Sequence, residues 1–323
     1  MIRHRFLFAL LALCCSAAVA AAEDYPNHQI RMLVPYPPGG GADFIARLLG
    51  PELSTRLKQP VVVENHAGAN GAIANDLLIK ADPDGYTLLL GTAGSVVIAP
   101  LLYGQDRAGF RSLDDFVPVS LIASSPFAVA VNPNLPAHTL AELVELAKSK
   151  PGQLNYGSSG IGGSPQLATE LFKSMAGIDM THIAYKGLSP ALVDLMGGQI
   201  DVAFADIGLV LPFVKSGKLR VLAVTGEMRA SSMPDVPTVA EQGYPGYSAN
   251  TWYGLYAPGK TPANVVGRLN KEANDALAND SVKHRLAAQG LDPAGDTAAQ
   301  FITYMHDESA KWGGIIQKAG VHE

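Results

Sequence analysis

The chain has 323 residues, 48% of them hydrophobic and 16% charged, and it carries a formal net charge of −5 at pH 7. This length is enough for two domains with buried cores, and the acidic balance argues against nucleic acid as a partner. The histidines stand singly, without the spacing of a metal site, so we expect neither a metal ion nor a cofactor.

Residues 1–22 have the composition of a secretory signal peptide. Arg3 and Arg5 precede a largely apolar run that ends in small residues. We expect cleavage after Ala22, with Ala20 as the alternative position, and therefore export to the periplasm. The mature chain would then carry a formal charge of −7, contain no cysteine and hold no apolar run of about 18 residues that could span a membrane.

The segment Pro35-Tyr-Pro-Pro-Gly-Gly-Gly41 joins an apolar strand, 30–34, to an amphipathic helix of about 42–57. Glycine lets the backbone approach a ligand closely, and the unpaired amides at a helix start attract anions. We therefore predict a carboxylate or phosphate site here, with a plain strand-to-helix connection as the alternative. At Gly40 we expect a backbone of positive φ, which a β-branched residue would disfavour.

The following sequence alternates strands and helices. The pattern predicts strands at 61–64 and 86–90, apolar extended segments interrupted by prolines within 113–131, and a helix capped by Thr139. A pair of polar-faced helices is expected within 262–289. Such alternation indicates an open, largely parallel α/β sheet with helices on both faces, which binds ligands at the carboxyl ends of its strands.

A second Gly-rich segment, Asn155-Tyr-Gly-Ser-Ser-Gly-Ile-Gly-Gly-Ser-Pro-Gln166, lies between a short strand and an amphipathic helix that begins near Pro165. Its serine hydroxyls add donors to the free amides of the helix start. A flexible linker is the alternative, although linkers do not usually open directly into an amphipathic helix. A nucleophilic serine is a further interpretation, but the Gly-x-Ser-x-Gly elbow is absent and no His/Asp pair can be assigned to it.

A third segment begins at Tyr185, where Ser189 is expected to cap a helix. The next predicted strand, 200–205, carries Asp206 to its carboxyl end, either as a cleft residue or as a helix N-cap. Lys186 could form a Schiff base, but a surface lysine is the plainer interpretation because the sequence gives no argument for an environment that perturbs its amine.

Six segments, each weakly specific alone, become specific through their order and spacing. They are Pro35-Tyr-Pro-Pro-Gly-Gly-Gly41, Glu64-Asn-His-Ala-Gly-Ala-Asn-Gly71, Pro83-Asp-Gly-Tyr-Thr-Leu88, Tyr156-Gly-Ser-Ser-Gly160, Tyr185-Lys-Gly187 and Gly197-Gly-Gln-Ile-Asp201. Together they resemble the tripartite tricarboxylate transporter substrate-binding proteins, also called Bug receptors, over nearly the whole mature chain. Tyr36 stands where many relatives have Phe, and His66-Ala67 replaces their common Arg-Pro.

The resemblance implies a periplasmic binding protein that closes on a small organic carboxylate and delivers it to integral-membrane transporter subunits. Its two α/β domains would be joined by crossing strands, with residues 23–123 and 247–323 in domain 1 and residues 124–246 in domain 2, and we expect a monomer. Family members bind the two ends of the ligand at the two Gly-rich loops. Together with Tyr185 at the start of the third segment and Asp206 at a predicted strand end, the expected ligand-binding residues are Tyr36, Pro38, Gly39, Gly40, Gly41, Ser158, Ser159, Gly160, Ser164, Tyr185 and Asp206.

Three functional classes were compared with these features. A solute receptor explains the leader, the two anion loops and the lack of a nucleophile paired with a base, so we expect no enzymatic activity. An exported hydrolase is the weaker interpretation, and a sensor that signals through a membrane partner would use the same cleft. Trp252 is interpreted as a packed core aromatic, with a ligand platform as the alternative.

Overall fold

The computed structural model describes residues 25–104, 106–110, 113–185 and 187–321. The predicted leader and Lys186 lie outside these ranges. Among the described residues, no helix combines the length and the apolar character that a membrane span requires.

Within the described ranges, ten strands form one mixed sheet. The strands are β1 Ile30–Val34, β2 Val61–Asn65, β3 Thr87–Thr92, β4 Phe116–Val131, β5 Asn155–Ser158, β6 Thr181–Ala184, β7 Val202–Asp206, β8 Arg220–Val224, β9 Asn250–Pro258 and β10 Asp292–Pro293. Their order across the sheet is β2, β1, β3, β9, β4, β7, β5, β6, and both β8 and β10 pair with β4.

Helices cover both faces of this sheet. They are α1 Gly41–Leu57, α2 Ala72–Ile79, α3 Ala99–Tyr103, α4 Leu140–Ser149, α5 Ser164–Ala176, α6 Leu188–Met196, α7 Ile207–Lys215, α8 Ala263–Leu277, α9 Asp280–Ala287 and α10 Ala298–Ala319. A single π-helical turn, Ala93–Ile98, leads from β3 into α3, and short 3₁₀ turns occupy 69–71, 106–108 and 113–115. The predicted α/β architecture is confirmed, including the helix pair after residue 262. The expectation of a largely parallel sheet was wrong, because the central strands β4 and β9 run antiparallel to the strands beside them.

Strand β4 is long because it belongs to two halves of the sheet. Its residues 116–126 pair with β9, whereas its residues 127–131 pair with β7 and β8. We expected prolines to interrupt the extended segments here, but the strand is continuous. Pro118 precedes a register shift, and Pro126 lies where β4 leaves β9, so neither proline has to supply a donor to a regular ladder.

Of the two helix N-caps predicted from the sequence, one is confirmed and one is wrong. Thr139 caps α4 as predicted, since its hydroxyl accepts the Glu142 amide at 3.1 Å. The prediction for Ser189 was wrong, because α6 already begins at Leu188 with Gly187 as its N-cap. Gly187 has a φ of 112°, a conformation that glycine adopts readily, and it turns the chain into the helix two residues earlier than a cap at Ser189 would.

Candidate functional site

The first Gly-rich loop connects β1 to α1. Gly39 carries the positive φ, at 93°, whereas Gly40 has an ordinary φ of −86° and forms the N-cap of α1, so the expectation for Gly40 was wrong. The sharp turn is completed one residue earlier, and the helix cap then requires extended backbone. No hydrogen-bond acceptor for the amides of Gly40 and Gly41 is found among the described residues. Pro38, Gly40 and Gly41 are exposed.

Asp43 holds this loop in place from the first turn of α1. It accepts the Gly39 amide at 2.9 Å, Arg47 Nε at 2.9 Å and Asn65 Nδ2 at 3.0 Å. Arg47 is the main cause of the lowered pKa of this carboxyl group, which therefore remains ionised at neutral pH. The Gly39 amide is thus already occupied, whereas the exposed amides of Gly40 and Gly41 have no acceptor among the described residues.

A third backbone segment, Thr92-Ala-Gly-Ser95, joins this loop at the end of β3. Thr92 and Ser95 form a reciprocal capping box, and the Tyr36 hydroxyl lies 3.1 Å from Thr92 Oγ1. A Cβ at Gly94 would lie 3.3 Å from the Tyr36 hydroxyl, so this segment and the first Gly-rich loop are in close contact. Sequence reasoning missed this segment, although glycine and serine directly after a buried strand and before an apolar helix repeat the pattern of the two predicted loops.

The second Gly-rich loop connects β5 to α5. Ser158 is fully buried and its hydroxyl bonds to His182 and to Gly160 rather than projecting into open space. Ser159 is half-buried, and Ser164 begins α5; neither hydroxyl has a hydrogen-bond partner in the part of the chain that the structure describes. A ligand contact is therefore open to these two hydroxyls as the side chains stand.

The carboxyl ends of the two half-sheets point toward each other along β4. Thr92, the last residue of β3, is aligned through Tyr253 with Ala123 of β4. Asp206, the last residue of β7, pairs with Phe127. Because β3 runs in the direction of β4 and β7 runs against it, the two edges face each other across four residues of β4, or about 13 Å at about 3.3 Å per residue. The two Gly-rich loops therefore extend from strand edges whose ends are separated by this distance along β4.

Tyr253 and Asp206 line the crossing region between these edges. Burial is the main cause of the raised pKa of Tyr253, and the nearby charges of Asp206 and Tyr36 raise it further. The Tyr253 hydroxyl also occupies the space that a Cβ at Gly41 would fill. Tyr253 therefore contacts the first loop, and the charge of Asp206 affects its pKa. Tyr253 was not predicted from the sequence as a site residue.

Asp206 is a carboxylate without a hydrogen bond or ion pair among the described residues. It occupies the N-cap position of α7, but its side chain does not cap the helix, so the N-cap interpretation fails at the level of hydrogen bonding. Burial raises the pKa of its carboxyl group to about 6. An unpaired, partly buried acid at the carboxyl end of a strand is typical of a ligand site rather than of a core.

The remaining predicted residues lie around the second loop. The Tyr185 amide donates to the Ser158 carbonyl at 3.1 Å, and the Tyr185 hydroxyl donates to Asp194 Oδ2 at 2.8 Å. Burial, followed by Asp194, raises the pKa of Tyr185 to about 12. Across the cleft, the Tyr103 hydroxyl donates to the Ile161 carbonyl at 3.1 Å, so the second loop also contacts α3. Trp252 is fully buried, as the core interpretation predicted.

Within the described ranges, no group of three or more histidine, cysteine, aspartate or glutamate side chains has the arrangement of a metal site. The chemistry at the cleft consists instead of free amides at two helix starts, hydroxyl groups and one unpaired carboxylate. This set can bind a small anion that also carries a hydrogen-bond donor.

Comparisons with known proteins bear on this arrangement. Residues 45–321 match the family described as the tripartite tricarboxylate transporter family receptor. Protein BugT of Bordetella pertussis is 38% identical, over 94% of this chain and 93% of BugT. The structure of R. palustris Rpa4515 with adipate has a TM-score of 0.82 at 34% identity, over 93% and 99% of the two chains. MatC from Rhodopseudomonas palustris with bound malate has a TM-score of 0.77 at 29% identity, over 90% and 100%.

Proposed function

Since the chain belongs to the tripartite tricarboxylate transporter receptor family, we propose that it binds a small dicarboxylate in the cleft between its two Gly-rich loops. Members of this family are solute-binding receptors rather than enzymes, and they are periplasmic. The chain is accordingly a solute receptor of a tripartite transporter. We further propose that its leader is removed after Ala22 and that it acts as a monomer with integral-membrane subunits.

The observation that carries the proposal is the opposition of the two carboxyl edges across residues 123–127 of β4. Each edge ends in a Gly-rich turn that opens into a helix, α1 on one side and α5 on the other. The positive ends of the two helices would therefore flank one ligand, with one carboxylate at each. Two relatives have adipate and malate bound, and both of these ligands are dicarboxylates.

Asp206 narrows the ligand class. An ionised acid beside a bound carboxylate is repulsive unless a donor lies between them, and no described residue supplies that donor. A hydroxyl or ammonium group on the ligand would satisfy the Asp206 oxygens. We therefore expect a hydroxy- or amino-dicarboxylate to bind more tightly than the acid without that group.

The pairing of β4 supports the proposed domain boundaries. Residues 23–123 with 247–323 would form domain 1 and residues 124–246 domain 2, because β4 exchanges its partner β9 for β7 between Pro126 and Phe127. Strand β9 returns alongside, starting at Asn250. Both connections run through the crossing, which is the geometry of a hinge.

Binding can be tested with the mature chain that begins at residue 23. Calorimetry with succinate, malate, adipate and citrate, and with butyrate as a monocarboxylate control, is expected to give a stoichiometry of one for a dicarboxylate and no chemical conversion. Conversion of the bound acid by contaminant-free protein would contradict the receptor function.

Gly40→Val tests the first loop in the same assay. A Cβ at Gly40 meets nothing within 4 Å, so the fold tolerates the side chain while the ligand's approach to the amides is blocked. Gly267→Val, on the open face of α8, is the matched control because a Cβ there also meets nothing. Equal affinity of the Gly40 variant and the unmodified protein would show that the first loop is not a ligand site.

A further inference from the structure

A chain of hydrogen bonds lies behind the second loop. The Gly162 amide donates to Gln166 Oε1 at 2.7 Å, and Gln166 Nε2 lies 3.1 Å from Nδ1 of His182. His182 Nε2 lies 2.7 Å from Ser158 Oγ. Ser158 bonds to Gly160 twice, since its Oγ is 3.2 Å from the Gly160 amide and 3.0 Å from the Gly160 carbonyl. This series of hydrogen bonds therefore begins at the Gly162 amide and ends at the Gly160 amide and carbonyl, all of which are backbone atoms of the second loop.

The direction of every bond follows from the Gly162 end. A backbone amide can only donate, so the Gln166 oxygen accepts from Gly162 and the Gln166 amino group faces His182. His182 Nδ1 must then be unprotonated, and its ring proton lies on Nε2, which donates to Ser158. The Ser158 hydroxyl proton is left for the Gly160 carbonyl. All donors and acceptors in the chain are matched only when His182 is neutral in this tautomer.

We infer that Gln166 and His182 are positioning residues that hold the second Gly-rich loop, 158–164, in the shape that receives one ligand carboxylate. This inference rests on the proposed function, because it assigns the two side chains a role through the loop rather than a contact with the ligand. Ser158, fully buried, transmits the same constraint to Gly160. The hydroxyls of Ser159 and Ser164, which have no partner among the described residues, are then carried by a fixed backbone.

Several ionisable groups surround the His182 ring. The ring is stacked on Tyr156 with centroids 4.9 Å apart, and the Tyr156 hydroxyl donates to Glu170 Oε1 at 2.5 Å. Lys173 donates to the same carboxylate oxygen at 2.9 Å. Burial is the main cause of the lowered pKa of His182, while Glu170 opposes this shift and Lys173 adds to it. The neutral ring is therefore the form present at neutral pH.

Acidification would disrupt the hydrogen bond between Gln166 Nε2 and His182 Nδ1. A proton on His182 Nδ1 would face the amino group of Gln166, so two donors would be opposed and the loop would lose its constraint. We expect the affinity for a dicarboxylate to fall as pH drops through the titration of His182. In Gln166→Glu, a carboxylate oxygen faces Nδ1 instead and stabilises the imidazolium, so this loss should begin at higher pH.

The experiment measures succinate and malate affinity from pH 5 to pH 8 for the unmodified protein, Gln166→Ala, Gln166→Glu and a control. Gln242→Ala is the control, because Gln242 also donates to a backbone carbonyl, that of Leu222, but on another element. We expect Gln166→Ala to weaken binding about tenfold at pH 7.5 and the control to change it little. Unmodified affinity and an unmodified pH profile in both Gln166 variants would overturn the inference.

Nuclear magnetic resonance on the free protein separates this inference from the proposed function. The ring nitrogens of His182, identified with His182→Gln, should report the Nε2–H tautomer, and exchange of the Gly162 amide should be slow and become fast in Gln166→Ala. If no carboxylate binds, the proposed function fails while these signals still decide the positioning role. A Nδ1–H tautomer, or equal Gly162 exchange in both proteins, would overturn the positioning role even if the ligand binds.

Discussion

Asp206→Asn should make the receptor more stable and less selective. The substitution preserves the size of the side chain and removes a charge that no described residue neutralises. Burial raises the pKa of this carboxyl group from the ordinary 3.8 to about 6. Since the folded state holds its proton more tightly than the unfolded state does, ionisation of Asp206 destabilises the fold as pH rises.

The size of the effect follows from the same pKa. A rise from 3.8 to about 6 corresponds to at most about 3 kcal/mol, and partial exposure of the side chain reduces this figure. Below pH 3.8 the aspartate is protonated in both states and carries no penalty. The penalty accumulates between pH 3.8 and 6 and is complete above pH 6. Relative to the unmodified protein, the variant should therefore gain about 1 to 3 kcal/mol at pH 7.5 and almost nothing at pH 4.

Urea denaturation at pH 4 and at pH 7.5 measures this difference, with the exposed Asp235→Asn as a control for net charge. Calorimetry with malate and succinate, which differ by one hydroxyl, measures selectivity. We expect the unmodified protein to prefer malate and the variant to lose that preference. A stability gain of equal size at both pH values, or an unchanged ratio of the two affinities, would refute the assignment of Asp206 as a buried, ligand-facing acid.

Three further predictions concern packing and closure. Gly41→Ala should weaken ligand binding and destabilise the fold by about 1 to 3 kcal/mol, because its Cβ overlaps the Tyr253 hydroxyl. Gly40→Ala, whose Cβ lies in open space, should fold normally. Thermal unfolding of the two variants measures the difference in stability. Glu308→Ala should cost about 2 to 5 kcal/mol in a fluorescence-detected denaturation, since it leaves the buried indole N–H groups of Trp252 and Trp312 unpaired, and Glu308→Gln, which keeps an acceptor, should cost less. Ligand should lower the radius of gyration in small-angle scattering, and Ser164→Ala should require more ligand for the same decrease; no decrease at saturation would indicate a rigid site.

Local sequence patterns predicted the parts of the site that depend on neighbouring residues. The first loop, the start of α5 and the strand that ends at Asp206 each combine turn chemistry with a buried strand, and all three were placed to within a few residues. The family resemblance, which rests on six ordered segments, is confirmed by the match over residues 45–321. The ligand contacts assigned to the loop residues stay predictions.

The features that were missed depend on residues far apart in the chain. Tyr253 reaches the first loop only because β9 returns beside β3 and aligns Tyr253 with Thr92. Likewise, the burial of Ser158 depends on β6, which brings His182 against its hydroxyl. A Ser/Gly segment alone does not show which serine hydroxyl forms hydrogen bonds inside the protein, because the partner residue lies on the strand that pairs with the segment.

The crossing strands also indicate where closure would have to bend the molecule. Trp252 of β9 pairs with Ser124 of β4, and its indole N–H donates to Glu308 Oε2 of α10 at 2.9 Å. Helix α10 thereby fixes β9 at the position where the gap between the two carboxyl edges begins. Since residues up to Ser124 are held by this contact and residues from Phe127 pair with β7, we expect any closing rotation to be concentrated in the short stretch between them. Because β4 and β9 are paired up to Pro126, we expect both strands to bend together and to move the second loop toward the first as one unit.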